Sequence, residues 1–139
     1  MHDGHEAVRP ETPAEALGMT EEMGRAMARF AAAELDAGRV DLARDILEGL
    51  VVSNPHDHAA WTLLGAAEKR RGCALAARLC AAIAHELAPD DPRVELAYAE
   101  ALLADEEERP AGRARLAVLA ASKGPVGDRA RALVAALGP

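Results

Sequence analysis

Two histidines bracket an aspartate at His56-Asp57-His58, and Trp61, the only tryptophan, follows three residues after His58. Imidazole nitrogens and a carboxylate are donors that hold zinc, so this stretch raises the question of metal chemistry first. A structural zinc site takes four ligands, however, and neither a cysteine nor a third histidine stands nearby. The flanking residues give another reading. Asn54 and Pro55 precede the triplet and an Ala- and Leu-rich run follows it, so Asp57 is expected to cap a helix. The corresponding stretch further on reads Asp90-Asp91-Pro92, without histidine. No metal ligands are assigned here, nor to His2 and His5 in the polar N-terminal stretch.

Other reactive groups give little more. Cys73 and Cys80 lie seven positions apart. On one helix they would be separated by about 10.5 Å of rise, beyond the roughly 7 Å that a disulfide spans. They are expected to be free thiols in a reducing compartment, acting as small hydrophobes. The run Asp105-Glu106-Glu107-Glu108 reads as a solvated acidic loop. No Gly-rich phosphate loop, GxSxG, HExxH or CxxC pattern occurs. Neither catalysis nor a cofactor is expected.

The elements that would position a site are helices. Half of the 139 residues are hydrophobic, yet Phe, Trp and Tyr occur once each. The apolar content is mostly Ala, Leu and Val, and Ala and Leu lose little side-chain freedom in a helix. An all-α chain follows. Its net charge of −7 and pI near 5.2 repel phosphate, so nucleic acid and anionic membranes are not expected partners. No apolar run approaches the roughly 18 residues that span a bilayer, and "MHDGHEAVRPETP" lacks the pattern of a secretion signal. A cytoplasmic location is expected.

The helices repeat. Pro55 and Pro89 are 34 residues apart, as are Gly38 and Gly72, and Ala43 and Ala77. A period of 34 is that of the tetratricopeptide repeat, a helix-turn-helix unit. Unit one carries Met27, Phe30, Ala31, Gly38, Ala43, Leu47 and Pro55 at the repeat's positions. Unit two carries Trp61, Leu64, Gly65, Gly72, Ala77 and Pro89. Small residues allow close helix approach, glycines allow the turn and prolines end the second helix. Unit three opens with Val94, Tyr98 and Leu102, but "ADEEERPAG" makes its turn about two to three residues longer.

The expected architecture is a right-handed α-solenoid of about three helix pairs, at about 24–57, 58–91 and 92–125. A short N-terminal helix at 13–17, opened by Thr12 and Glu15, precedes a long helix capped by Thr20. Ala130, Leu133, Val134 and Leu137 mark a capping helix at about 127–137, which a solenoid needs to cover its end. Residues 1–11 read as a disordered tail ahead of the repeat domain at 12–139.

In such solenoids the first helix of each unit lines a concave groove. Helical spacing places Ala28, Ala32 and Leu35 there in unit one, then Thr62, Ala66, Lys69 and Arg70 in unit two. Unit three contributes Leu96, Glu100 and Leu103. This is a small, largely apolar floor with a basic patch, suited to a protein or peptide client. Trp61 is expected to be largely buried between units one and two.

The stretch "AEALGMTEEMGRAMARFAAAELDAGRVDLARDILEGLVVSNPHDHAAWTLLGAAEKRRG", continued by "APDDPRVELAYAEALLA", resembles the chaperones of type III secretion translocators. The resemblance implies a short N-terminal helix, three repeats and a C-terminal helix. It implies a cytoplasmic chaperone whose groove holds an extended segment of a hydrophobic client before export. Separately, a homodimer is a possible assembly. A structural scaffold without chaperone activity is the competing reading. A carboxylate-clamp cochaperone would want Lys and Asn where Ala28 and Ala32 stand.

Overall fold

Side-chain caps set where several helices begin. Thr12 Oγ1 accepts the Glu15 N–H at 3.2 Å and opens α1 (Pro13–Ala16). Thr20 Oγ1 accepts the Met23 N–H at 3.1 Å and opens α2 (Glu21–Asp36). Asp57 Oδ1 takes the Ala60 N–H at 3.0 Å ahead of α4 (His58–Arg70), and Asp91 Oδ1 takes the Arg93 N–H at 2.9 Å ahead of α6 (Pro92–Leu102). Each satisfies a first-turn amide that the helix cannot pair. The partner helices are α3 (Val40–Ser53), α5 (Ala74–Leu87) and α7 (Arg109–Leu119), and α8 (Pro125–Leu137) ends the array. The computed structural model describes residues 12–139, and among them these eight helices occur with no strand. The expected tail, residues 1–11, lies outside the described residues.

Two glycines make the turns inside the first two pairs. Gly38 and Gly72 have φ of +88° and +82°, a left-handed conformation that strains an L side chain. The residues after them, Arg39 and Cys73, donate their N–H groups back to the carbonyls of Glu34 and Glu68, each at 2.9 Å. This is the glycine-terminated helix end that uses up orphan carbonyls. Unit three lacks it. Three residues, 71–73, join α4 to α5, whereas six, 103–108, join α6 to α7. There the Asp105 carboxylate accepts the Glu107 N–H at 2.9 Å and pairs with Arg78.

The order of contacts shows which way the array bends. Each helix packs on its sequence neighbour from α2 onward. In addition α2 touches α4, α4 touches α6 and α6 touches α8, while α3 does not meet α5 and α5 does not meet α7. Helices that meet at every second position lie on the inside of a curve. The concave face of this solenoid therefore carries α2, α4, α6 and α8.

Two apolar clusters hold the array. The larger joins units one and two through ten buried residues, among them Ala31, Leu35, Ala43, Leu47, Ala60 and Leu64, with Trp61 packed on its edge. Cys80 belongs to it, and burial pushes its thiol up to about 11, so the sulfur stays protonated at neutral pH. The smaller cluster joins Ala99, Leu116, Leu119 and Ala130, with α8 covering it.

Trp61 packs on the larger cluster at the junction of units one and two, and its indole N–H donates to the Pro55 carbonyl at 2.8 Å. Met27 and Phe30, at repeat positions that normally pack against a preceding unit, are 38% and 54% exposed. No unit precedes them among the described residues, and α1 is four residues long and packs on α3.

Candidate functional site

On the concave face α2 and α4 present a floor of small side chains. Ala28 and Ala32 are half-buried and Ala66 is exposed. Thr62 is half-buried and turns its hydroxyl inward, donating to the His58 carbonyl at 2.9 Å. It therefore contributes mainly its methyl group to the surface. A floor of Cβ atoms leaves room above it for the larger side chains of a bound segment.

Leu35 does not join this floor. It is 4% exposed and sits in the larger core cluster, so it cannot be a groove contact. Its backbone carbonyl accepts a hydrogen bond from Arg70, whose guanidinium also lies 3.9 Å from Asp36. Leu96 and Leu103 are half-buried and pack on the smaller cluster. Leu103 stands just beyond α6, where its Cδ2 lies against Gly112 of the next helix. The apolar contacts expected once per repeat are thus taken up by the fold at both ends, leaving the alanines between.

The basic patch is not free either. Lys69 Nζ donates to Glu100 Oε1 at 3.3 Å, and Arg129 of α8 donates to the same oxygen at 2.7 Å. With Arg70 and Asp36 these residues form a charged row that steps from α2 to α4, α6 and α8 along the concave side. Sequence reasoning named Lys69, Arg70 and Glu100 but missed Asp36 and Arg129. Asp36 stands 34 residues before Arg70, a signal that the repeat period carried. Arg129 lies in the capping helix, outside the three units, and had no such signal.

The His56-Asp57-His58 stretch lies in the turn between α3 and α4. Asp57 is engaged as the α4 cap, and Asn54 Oδ1 accepts the His56 N–H at 3.2 Å. His56 is exposed, and His58 is half-buried as the first residue of α4, with Nδ1 unpaired. Among the described residues no group of three His, Cys, Asp or Glu side chains converges as metal ligands do.

An array of helix pairs with its first helices on the inside and a covering helix at its C-terminal end is a tetratricopeptide-type solenoid. This fold is shared with chaperones of type III secretion translocators. The translocator chaperone SycD of Yersinia enterocolitica superposes with a TM-score of 0.77 over 92% of this chain and 99% of its own, at 19% identity. PcrH of Pseudomonas aeruginosa gives 0.71 over 86% and 95%, at 22% identity. SycD in complex with a peptide of the translocator YopD gives 0.69 over 85% and 94%, at 17% identity. No protein-family model matches the chain, and no curated protein matches it.

Proposed function

We propose that this chain is a cytoplasmic chaperone, without catalytic activity, that holds an extended segment of a translocator-type client along its concave face. The observation that carries this reading is the likeness to SycD over 92% of this chain and 99% of that one. The SycD–YopD peptide complex supports a peptide as the kind of client. The alanine floor of α2 and α4 supports the concave face as its seat. No described helix is long and apolar enough to cross a membrane.

The test is capture of the client from the native organism by tagged protein, identified by mass spectrometry, then titration against wild type and Ala66→Trp. An indole on the groove floor should abolish binding while the circular dichroism spectrum stays helical. Unchanged affinity in a folded Ala66→Trp protein would move the site off the concave face and favour the scaffold reading.

A homodimer is part of the proposal. Met23, Met27 and Phe30 lie on α2 at spacings of four and three residues and are all exposed, beside an apolar recess of about 400 Å³ lined by Ala26, Met27, Phe30 and Ile46. A second copy would cover this uncapped end. Sedimentation of wild type and Phe30→Glu should show a dimer in the first and a monomer in the second. A monomeric wild type would remove the dimer from the proposal.

A further inference from the structure

The charged row on the concave face contains a seat for a carboxylate. Lys69 and Arg129 come from helices on either side of α6 and converge on one oxygen of Glu100. The exposures are unequal in a telling way. The Glu100 side chain is 18% exposed, while those of Lys69 and Arg129 are 61% and 53% exposed. The anion is covered and the two cations face outward. Each cation also has spare capacity: a lysine ammonium carries three donors and a guanidinium five, and each makes one bond to Glu100 here. Arg70, 48% exposed on the same side of α4, adds a third cation to the row, but the 82% exposed Asp36 carboxylate 3.9 Å away offsets it. This basic edge stands out on a chain whose net charge is −7.

Resting on the groove reading above, we propose that this edge selects client segments by charge. A segment with a carboxylate beside its apolar residues seats that carboxylate between Lys69 and Arg129, with Glu100 as the built-in competitor. The apolar residues then lie over Ala28, Ala32 and Ala66. Charge complementarity of this kind gives specificity and faster encounter more than raw affinity. Two hydrogen-bonding cations recognise a carboxylate better than a neutral group does. A segment with lysines at the same place meets the outward Lys69 and Arg129 and is rejected. The row thus does two things: it ties four concave helices together, and it sets which sequences the groove accepts.

The probes are two short synthetic peptides with the same leucine and valine positions, one with two glutamates and one with two lysines. Binding is followed by fluorescence anisotropy at low and high salt. The glutamate peptide should bind wild type roughly three- to tenfold more tightly than the lysine peptide at low salt, with the gap shrinking as salt rises. Glu100→Gln should tighten the glutamate peptide further, because the competing carboxylate is gone. Lys69→Gln with Arg129→Gln should erase the preference. Circular dichroism checks that each variant is folded.

Equal affinity for the two peptides overturns the proposal, as does a glutamate peptide that binds Glu100→Gln more weakly than wild type. The latter would make Glu100 only a brace. Failure of both peptides to bind wild type also overturns the charge preference. The groove reading itself is judged separately, by whether Ala66→Trp blocks the captured client.

Discussion

The junction between units one and two and the junction between units two and three use equivalent repeat positions for different chemistry. Trp61 of α4 and Glu95 of α6 are 34 residues apart, as are Leu64 and Tyr98. At the first junction the indole leans on a cluster of ten buried residues. At the second, the Glu95 carboxylate takes Arg115 at 2.8 Å and His85 Nε2 at 3.0 Å. Tyr98 stacks on His85 with centroids 4.6 Å apart, and the Arg115 guanidinium lies 4.9 Å from the Tyr98 ring centre. The apolar cluster beyond has four buried residues. Apolar packing is non-directional and, unlike ion pairs, is not weakened by charge screening. Ion pairs and ring contacts fix an orientation but are screened and partly solvated. Units one and two are therefore expected to form the more stable body, with polar contacts adding to the apolar packing that sets unit three against it.

The largest test of this contrast is to empty each cluster. Leu47 and Leu116 are both fully buried. Leu47→Ala should cost about 4 kcal/mol, since well-packed neighbours on α2, α3 and α4 cannot close around the gap. Leu116→Ala should cost nearer about 2.5 kcal/mol, because the smaller cluster under α8 can collapse further. Urea melts of the two variants give both values. A larger loss for Leu116→Ala would reverse the assignment of the stable body.

Close helix approach offers a second contrast. A Cβ on Gly112 would meet the Ala99 carbonyl oxygen at 2.8 Å and Leu102 Cβ at 3.1 Å. Backbone would have to move, so Gly112→Ala should cost about 2 kcal/mol. A Cβ on Gly65 would meet the Ala77 oxygen at 3.3 Å and Cys80 Cβ at 3.4 Å. That mild crowding is offset by the roughly 1 kcal/mol by which alanine exceeds glycine in a helix, so Gly65→Ala should stay within about 1 kcal/mol of wild type. Equal losses in the melts would mean that the helix pairs within units two and three approach equally closely.

These features differ in how far the sequence discloses them. Turns are local: Gly38, Gly72, Pro55 and Pro89 obey backbone rules that hold whatever surrounds them, and the caps Thr12, Thr20 and Asp57 do too. The helix count and the period follow from such residues. Helix faces are not local. Leu35 and Lys69 share a repeat position, and the period assigns them one face, yet Leu35 is in the core. Unit one needs its side chain there to meet α4, while in unit two the same position reaches Glu100. Phe30 and Met27 are exposed for a related reason. Their positions are buried only when another unit precedes. The row through Glu100 depends on distances between helices far apart in sequence, so its pairing could not be read from spacing, and Arg129 belongs to no repeat.

Salt should separate the two junctions at a smaller scale. Trp61 is half-buried, so Trp61→Ala should cost about 2 kcal/mol, below the range for a fully buried aromatic. That loss should be the same in dilute and concentrated salt. Glu95→Gln keeps the shape but removes the charge, and should cost about 1 kcal/mol at low salt and less as salt rises. Melts at two ionic strengths suffice. A salt-independent Glu95→Gln would mean that the Tyr98–His85 stack, not the carboxylate, sets the second junction.

The smallest expected effect concerns acid, and it compares the turn of unit one with the turn of unit three. The Glu34 carboxyl is held below its ordinary value of 4.5, first by its hydrogen bonds from Arg39. Asp105 is held below 3.8, first by the Glu107 backbone N–H and then by Arg78. A carboxyl with a lowered folded-state value releases its proton more readily in the folded chain than in the unfolded one. Its contribution is fully present above the ordinary value and is lost as the pH falls through the lowered one. Going down from neutral pH, stability should therefore hold until the Glu34 contribution begins to fade below about 4.5, with Asp105 following at lower pH. Glu34→Gln and Asp105→Asn should each lower the urea midpoint at neutral pH and converge on wild type in acid. Neutral-pH loss should be larger for Glu34→Gln, because Glu34 is buried against the α2–α3 turn whereas Asp105 sits in a half-exposed loop. Variants that stay equally displaced from wild type at every pH would show that the two carboxylates act through shape rather than charge.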